Sequence, residues 1–152
     1  MNQVVKHQNN GNCPKCKELF EKYPGFNKQV RGWFVTFQAK HPEAHISCAG
    51  RGFKDQQAAK ASKASRADYG ESAHNWNAAI DLFVQLSGKD IYDKTWFNNV
   101  LAPEIPYFLN WYGAVGSVFK ELPHIEFRDW KGLKTQGLLA LVESPPFPGD
   151  VA

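Results

Sequence analysis

Hydrophobic residues recur at helical spacing in the first third of the chain. Between residues 26 and 37 they form one apolar stripe, made of Phe26, Val30, Trp33, Phe34 and Phe37. This period predicts an amphipathic helix whose stripe packs against a core. Asn27 is suited to cap its N-terminus. The helix is expected to end near His41, because Pro42 disfavours the helical conformation in the residue before it.

Short apolar runs and turn residues organise the rest of the chain. Runs at residues 46–49, 78–84 and 124–127 predict strands. Helices are expected at about 55–63 and, broken by two prolines, at about 95–109. Strands and helices interleave without a strict β-α-β alternation, which favours an α+β fold over a doubly wound sheet.

The length of the chain favours a single domain. It has 152 residues, of which 43% are hydrophobic, enough for a packed core. Residues 1–26 are interpreted as a lead-in segment that carries the Cys-Pro-Lys-Cys sequence, and residues 27–142 as the main domain. Residues 143–152 are rich in proline and are expected to be an irregular tail.

Charge and hydropathy exclude several classes of function. The formal net charge is +3, and the basic residues are scattered, whereas nucleic-acid binding usually needs a dense basic face. No apolar run approaches the roughly 20 residues that span a bilayer. The N-terminal residues also lack the apolar core of a signal peptide. We therefore expect no nucleic-acid partner, no membrane anchor, and synthesis in the cytoplasm without a signal peptide.

The cysteines raise the question of a structural metal site. Cys13 and Cys16 form a CxxC pair, and Cys48 stands apart. If these three bind a second metal ion, a fourth ligand is needed. Three histidines are candidates: His7, His41 and His45. The alternative is that the cysteines are reduced and partly buried thiols.

Two short segments carry candidate catalytic chemistry. A catalytic zinc takes three protein ligands, and His74, Asp81 and His124 satisfy that count. Zinc lowers the pKa of bound water towards ~7, and a nearby carboxylate must then move protons. Glu121, three residues before His124, is the candidate. The spacing fits no standard zinc motif, so from the residues alone an ordinary hydrogen-bonded histidine stays an open alternative.

The segment from Ser72 to Asp81, SAHNWNAAID, resembles the SxHxxxxAxD signature of a family of zinc peptidases. These are the D-alanyl-D-alanine carboxypeptidases and L-alanyl-D-glutamate endopeptidases, which include the VanX and VanY types and many phage endolysins. Glu121 to His124 resembles the second motif, an acid followed by xxH, and Arg51 and Gln56 match an upstream block. The resemblance covers about half the chain and implies a single domain with a small antiparallel sheet flanked by helices, of the Hedgehog/DD-peptidase-like kind.

The resemblance also implies roles for these residues. His74, Asp81 and His124 would be the zinc ligands, and Glu121 would act as general base and then as general acid. Arg51 would bind the scissile carbonyl or the oxyanion as charge develops there.

Further residues have supporting roles in this interpretation. Ser72, Gln56 and Trp111 are candidate substrate contacts, and Ser72 is alternatively expected to hold the His74 loop. Asn77 stands where the family often has glycine. Glu126 is expected to face away from His124 and is given no catalytic role.

The function implied is hydrolysis of the peptidoglycan stem peptide. The first expectation is a monomeric L-alanyl-D-glutamate endopeptidase with one catalytic Zn²⁺. As a phage endolysin it would be made in the host cytoplasm and act on the cell wall after release. The alternatives are a D-alanyl-D-alanine carboxypeptidase or dipeptidase, and a non-catalytic zinc-stabilised module that binds the cell wall.

Overall fold

The computed structural model describes residues 7–63, 65, 67–113 and 121–142, with only the backbone of Glu121. Within this part, the chain is a small α+β domain with one four-stranded antiparallel sheet. The strands are β1 (Ala44–Cys48), β2 (Ala79–Val84), β3 (Leu109–Gly113) and β4 (Glu121–Phe127). Their order is β1-β2-β4-β3, so β2 and β4 lie at the centre. The predicted fold class is confirmed.

Helices precede, connect and follow the strands. In the described part of the chain they are α1 (Pro14–Glu21), α2 (Lys28–Lys40), α3 (Phe53–Ala61), α4 (Lys94–Trp96) and α5 (Trp130–Thr135). A π-helical turn and a 3-10 turn continue α4 to Glu104. A separate 3-10 turn, Ala73–Trp76, leads into β2.

The helix predicted from the apolar stripe is confirmed as α2. The Asn27 side chain accepts hydrogen bonds from the backbone N–H groups of Gln29 and Val30, which caps the helix. Along the stripe Val30, Phe34 and Phe37 are fully buried. Burying each such side chain stabilises the fold by about 1.5–3 kcal/mol, so α2 is held by its packing.

The core joins α2 to the sheet. It is built from large apolar side chains that include Phe34, Phe37, Ile46, Leu82 and Ile125. On one face of β2 and β4, apolar residues such as Leu82 and Ile125 are covered by this core. Asp81 and His124 lie on the other face, where the candidate site is.

The structure differs from the predicted secondary structure in three places. The lead-in segment contains helix α1, where Pro14 occupies a first-turn position that suits proline. No strand was predicted at Trp111 to Gly113, which belongs to β3. The helix expected at 95–109 ends at Glu104. Residues 1–6 and the expected tail at 143–152 lie outside the described part.

Among the described residues, no helix has both the length and the apolar character needed to cross a membrane.

Candidate metal centre

Asp81 and His124 meet because their strands pair in register. They are directly opposite each other on β2 and β4, so their side chains leave the sheet on the same face. His74 approaches that face from the 3-10 turn before β2. Asp81 Oδ1 lies 3.1 Å from His74 Nε2 and 3.4 Å from His124 Nδ1. The structure thus brings the three predicted ligands together.

The orientation of His74 is fixed from the opposite side of its ring. Nδ1 donates to the carbonyl oxygen of Ala49 at 2.8 Å, which leaves Nε2 to face Asp81. The side chain is only 1% exposed. The hydroxyl of Ser72 accepts a hydrogen bond from the His74 backbone N–H at 3.2 Å and caps the turn. Of the two expectations for Ser72, this contact matches the one in which it holds the His74 loop.

His124 is oriented by Glu126. His124 Nε2 lies 2.8 Å from Glu126 Oε1, so Nδ1 is the nitrogen that faces Asp81. Tyr112 and Trp130 also donate hydrogen bonds to the Glu126 carboxylate. The expectation that Glu126 faces away from His124 was wrong. Residues two apart on a strand point to the same face, so the period of the strand was the signal for this pair.

Arg51 contacts the other oxygen of the central carboxylate. Its NH2 lies 3.5 Å from Asp81 Oδ2, while NH1 donates to Gln56 Oε1 at 3.3 Å. Its side chain is only 13% exposed, against 20% for Asp81, so the guanidinium is largely buried beside the carboxylate. Asp81 is therefore shared, with one oxygen towards the two histidines and one towards Arg51.

Gln56 accepts a hydrogen bond from Arg51 and is buried in the interior. It is completely buried, and its Nε2 donates to Ser65 Oγ and to the carbonyl oxygen of Ala67. The buried Asn75 side chain donates to Gln56 Oε1 and to the carbonyl oxygen of Arg51. The expected substrate contact of Gln56 does not fit this burial. Gln56 and Asn75 instead connect the Arg51 loop to the His74 turn.

Two other predicted site residues, Trp111 and Glu121, lie on strands β3 and β4. Trp111 is half-buried on β3, and its indole N–H donates to the carbonyl oxygen of Leu122 at 2.7 Å. Glu121 begins β4 and pairs with Gly113. The Glu121 side chain lies outside the described part of the structure, so its role as general base stays a prediction.

The three cysteines do not lie together. Cys48 Sγ is 3.7 Å from His74 Nδ1 and belongs to the group formed with His74 and Asp81. Cys13 and Cys16 lie with His7 and His45 in a second group. The expectation that Cys48 shares a metal site with the CxxC pair therefore does not match the structure.

Electrostatics favour a cation between these side chains. Burial raises the pKa of Asp81, but His74 and His124 outweigh it and hold that pKa well below its usual range. Burial lowers the pKa of His74, yet Asp81 and Cys48 raise it to about 10. Burial likewise lowers the pKa of His124, and hydrogen bonds with Asp81 and Glu126 raise it to about 8. The ionised carboxylate thus draws positive charge onto both imidazoles.

The donor set is suited to zinc. Each histidine has one nitrogen held by a hydrogen-bond acceptor and the other directed at Asp81 Oδ1. Such acceptors fix the tautomer and the ring orientation of histidines that bind metal. Two imidazole nitrogens and one carboxylate oxygen are a common catalytic zinc set, which leaves a position for water.

The fold and these side chains define an α+β domain with candidate metal-binding groups. The chain is similar to the crystal structure of the Serratia marcescens L-Ala D-Glu endopeptidase ChiX, with a TM-score of 0.60 and 12% sequence identity. The similarity covers 78% of this chain and 90% of that one. At this identity the likeness concerns the fold. No protein-family model and no curated protein matches the chain.

Proposed function

We propose that the protein is a zinc-dependent peptidase that hydrolyses the stem peptide of bacterial peptidoglycan. The observation that carries this proposal is the convergence of His74, Asp81 and His124 beside Arg51. The fold supports it, since it is similar to that of an L-Ala D-Glu endopeptidase. We propose cleavage between L-alanine and D-glutamate as the activity.

In this proposal His74 Nε2, His124 Nδ1 and Asp81 Oδ1 hold the metal. Zinc there would supply a Lewis acid that activates water and polarises the scissile carbonyl near neutral pH. Ala49 and Glu126 hold the two imidazoles in the tautomers that present these nitrogens. Arg51 keeps the second Asp81 oxygen in place, and this leaves Oδ1 directed at the histidines.

Arg51 and Glu121 have the remaining chemical roles. The Arg51 guanidinium lies beside Asp81, where it would stabilise the negative charge that develops on the carbonyl oxygen. Glu121 would take a proton from water and return it to the leaving amine. Glu121 and His124 both lie on β4.

The proposed setting is that of a phage endolysin, which acts on the wall after release from the host cytoplasm. Removal of a terminal D-alanine and zinc-stabilised binding to the cell wall without turnover are the competing activities. The three differ in their products, so one digestion separates them.

The test is mass spectrometry of muropeptides after digestion of purified peptidoglycan. A new free amino group on D-glutamate is expected, and a chelator should abolish it until zinc is restored. Released D-alanine would assign the carboxypeptidase activity instead. If the protein bound to sacculi but released no new amino or carboxyl groups, it would be a non-catalytic module that binds the cell wall, and the enzyme hypothesis would be overturned.

Variants separate the metal from the proton transfer. Asp81→Asn should lose the zinc of the catalytic centre and the activity together, whereas Asp68→Asn, an exposed acid, should change neither. Glu121→Gln should keep zinc and lose turnover by about 100–10,000-fold, the usual worth of general acid–base catalysis. Full activity in Glu121→Gln would exclude it as the base.

A further inference from the structure

A second group of metal-ligating side chains lies away from the proposed catalytic centre. We call His7, Cys13, Cys16 and His45 the N-terminal cluster. His7 Nδ1 is 3.3 Å from Cys13 Sγ and 3.4 Å from Cys16 Sγ, and Cys16 Sγ is 3.7 Å from His45 Nδ1. One ligand atom from each of the four residues lies within 4.8 Å of all the others.

These separations are those of a closed tetrahedral site. With zinc bonds of about 2.3 Å to sulfur and 2.0–2.1 Å to nitrogen, neighbouring ligand atoms lie about 3.3–3.8 Å apart. The three sulfur–nitrogen distances given above fall in that range. Two cysteines and two histidines complete the four ligands of a structural site and leave no position for water.

The backbone explains why the two thiols point the same way. Cys13 is the N-cap of α1, and Cys16 lies in its first turn, so the two side chains lie on one side of the helix N-terminus. His45 comes from β1, far along the chain. Cys13 and Cys16 are 1% and 2% exposed. Such burial of both sulfurs suits a closed site and leaves little access for a redox partner.

Two hydrogen-bond donors lie beside the Cys16 sulfur. The backbone N–H of Ile46 donates to Cys16 Sγ at 3.3 Å, and Gln38 Nε2 lies 3.5 Å from it. Gln38 Oε1 also accepts a hydrogen bond from the backbone N–H of Cys13. Groups of this kind orient metal ligands and neutralise part of their charge.

A hydrogen bond on one side of the His45 ring turns its other nitrogen towards the thiols. Its Nε2 donates to Asn9 Oδ1 at 2.6 Å, which leaves the lone pair of Nδ1 directed at Cys16. A neutral imidazole is the form that binds a metal.

We propose that the N-terminal cluster binds a second, structural Zn²⁺ through His7, Cys13, Cys16 and His45. Binding displaces the two thiol protons, so the ion and the two thiolates together carry no net charge. The ion ties the segment before α1 to β1. His45 pairs with Phe83 on β2, and Phe83 lies two residues from Asp81 on the same strand. The structural ion would therefore stabilise the part of the sheet that presents the catalytic carboxylate.

Zinc per chain in the purified full-length protein, measured by inductively coupled plasma mass spectrometry, tests this assignment. Two zinc ions are expected in the wild type, one in Cys13→Ser/Cys16→Ser, and one in Asp81→Asn. A wild type with a single zinc that only the cysteine variant loses would support this site and refute the catalytic one. Unchanged zinc in the cysteine variant would overturn the inference.

Cobalt substitution of the wild type gives a readout that does not depend on a variant folding. Metal-free protein titrated with Co²⁺ should show a sulfur-to-cobalt charge-transfer band. Cys48→Ser, which removes a thiol from the other group, should keep that band, whereas His45→Ala should weaken or shift it. Absence of the band in the wild type, or a disulfide between Cys13 and Cys16 in the freshly purified protein, would refute the site.

Discussion

His124 Nε2 lies 2.8 Å from Glu126 Oε1, two residues further along the same strand. The contact decides which nitrogen of His124 is available, because the one that binds Glu126 cannot also bind a metal. The Glu126 carboxylate is itself held by Tyr112 and Trp130. Glu126 thus forms the outer part of a carboxylate–histidine pair next to the proposed zinc.

Replacing Glu126 by Gln should weaken zinc binding without unfolding the protein. Loss of a carboxylate partner of a metal-binding histidine typically costs about 10–100-fold in metal affinity. Competition with a fluorescent zinc chelator would measure the change. Glu21→Gln, an exposed acid on α1, is the matched control and should bind zinc like the wild type. Equal affinity in the two variants would contradict the orienting role.

Arg51 should matter for turnover more than for metal content. Its NH2 lies 3.5 Å from Asp81 Oδ2, beside the proposed metal, and we expect its charge to act on the carbonyl oxygen of the substrate. Arg51→Gln is expected to lower turnover by about 100–1,000-fold, as loss of an oxyanion-stabilising group does. Arg51→Lys should be intermediate, because it keeps the charge but not the fork of donors. For each variant, muropeptide digestion would measure turnover and zinc analysis of the same sample would measure metal content.

The matched control for Arg51→Gln is Lys54→Gln, which removes one positive charge from the exposed side of α3. It should digest peptidoglycan at the wild-type rate. If both variants slowed digestion equally, the effect would come from attraction of the anionic wall by net charge.

Periodicity predicted the parts of the fold that have a strong local signal. The apolar stripe from Val30 to Phe37 and the cap at Asn27 predicted helix α2, and the predicted start lies within one residue of the observed start at Lys28. Strand β3 was missed because it is short and contains Asn110 and a glycine, and because its pairing with β4 is a tertiary effect.

The candidate site was predictable only where residues formed a motif. His74, Asp81 and His124 could be named from resemblance, and the pairing of β2 with β4 shows why they meet. The N-terminal cluster could not be completed from sequence, because His45 lies 29 residues from Cys16 and only the fold brings them together. For the same reason, a polar glutamine such as Gln56 gave no sign of its burial.

Asn77 links the His74 turn to β2 in a conformation that few residues adopt. Its backbone is left-handed, with φ 58° and ψ 36°, and its side chain donates to the carbonyl oxygen of Ala140. Asn77→Ala should lower the free energy of unfolding by about 1–3 kcal/mol, through left-handed strain and the lost hydrogen bond. Asn77→Gly should cost less, because glycine adopts this conformation without strain.

Urea denaturation of the two Asn77 variants and of Asn98→Ala, an exposed position, would measure these differences. Equal stability of the Ala and Gly variants would show that the backbone conformation contributes nothing. A loss in Asn98→Ala as large as in Asn77→Ala would show that the effect is not specific to this turn.

The metal-free protein should lose stability as the pH rises above neutral. Asp81 and Cys48 raise the pKa of His74 to about 10 against the opposing effect of burial, and Asp81 and Glu126 raise that of His124 to about 8. A pKa raised by folding stabilises the protein fully below its unfolded value of 6.5, and this contribution disappears as the pH rises through the folded value. Asp81, whose pKa folding lowers, keeps its own contribution throughout that range.

Urea unfolding of zinc-free protein at pH 6.5 and at about pH 8 would measure this slope. Asp81→Asn should flatten it, since the carboxylate that holds the protons is gone, whereas Asp68→Asn should leave it unchanged. Zinc should reverse the trend, because the metal binds only the deprotonated imidazoles and therefore binds more tightly at higher pH. A slope that persists in Asp81→Asn would mean that the two histidines are not coupled to this carboxylate, and the proposed metal centre would lose its electrostatic basis.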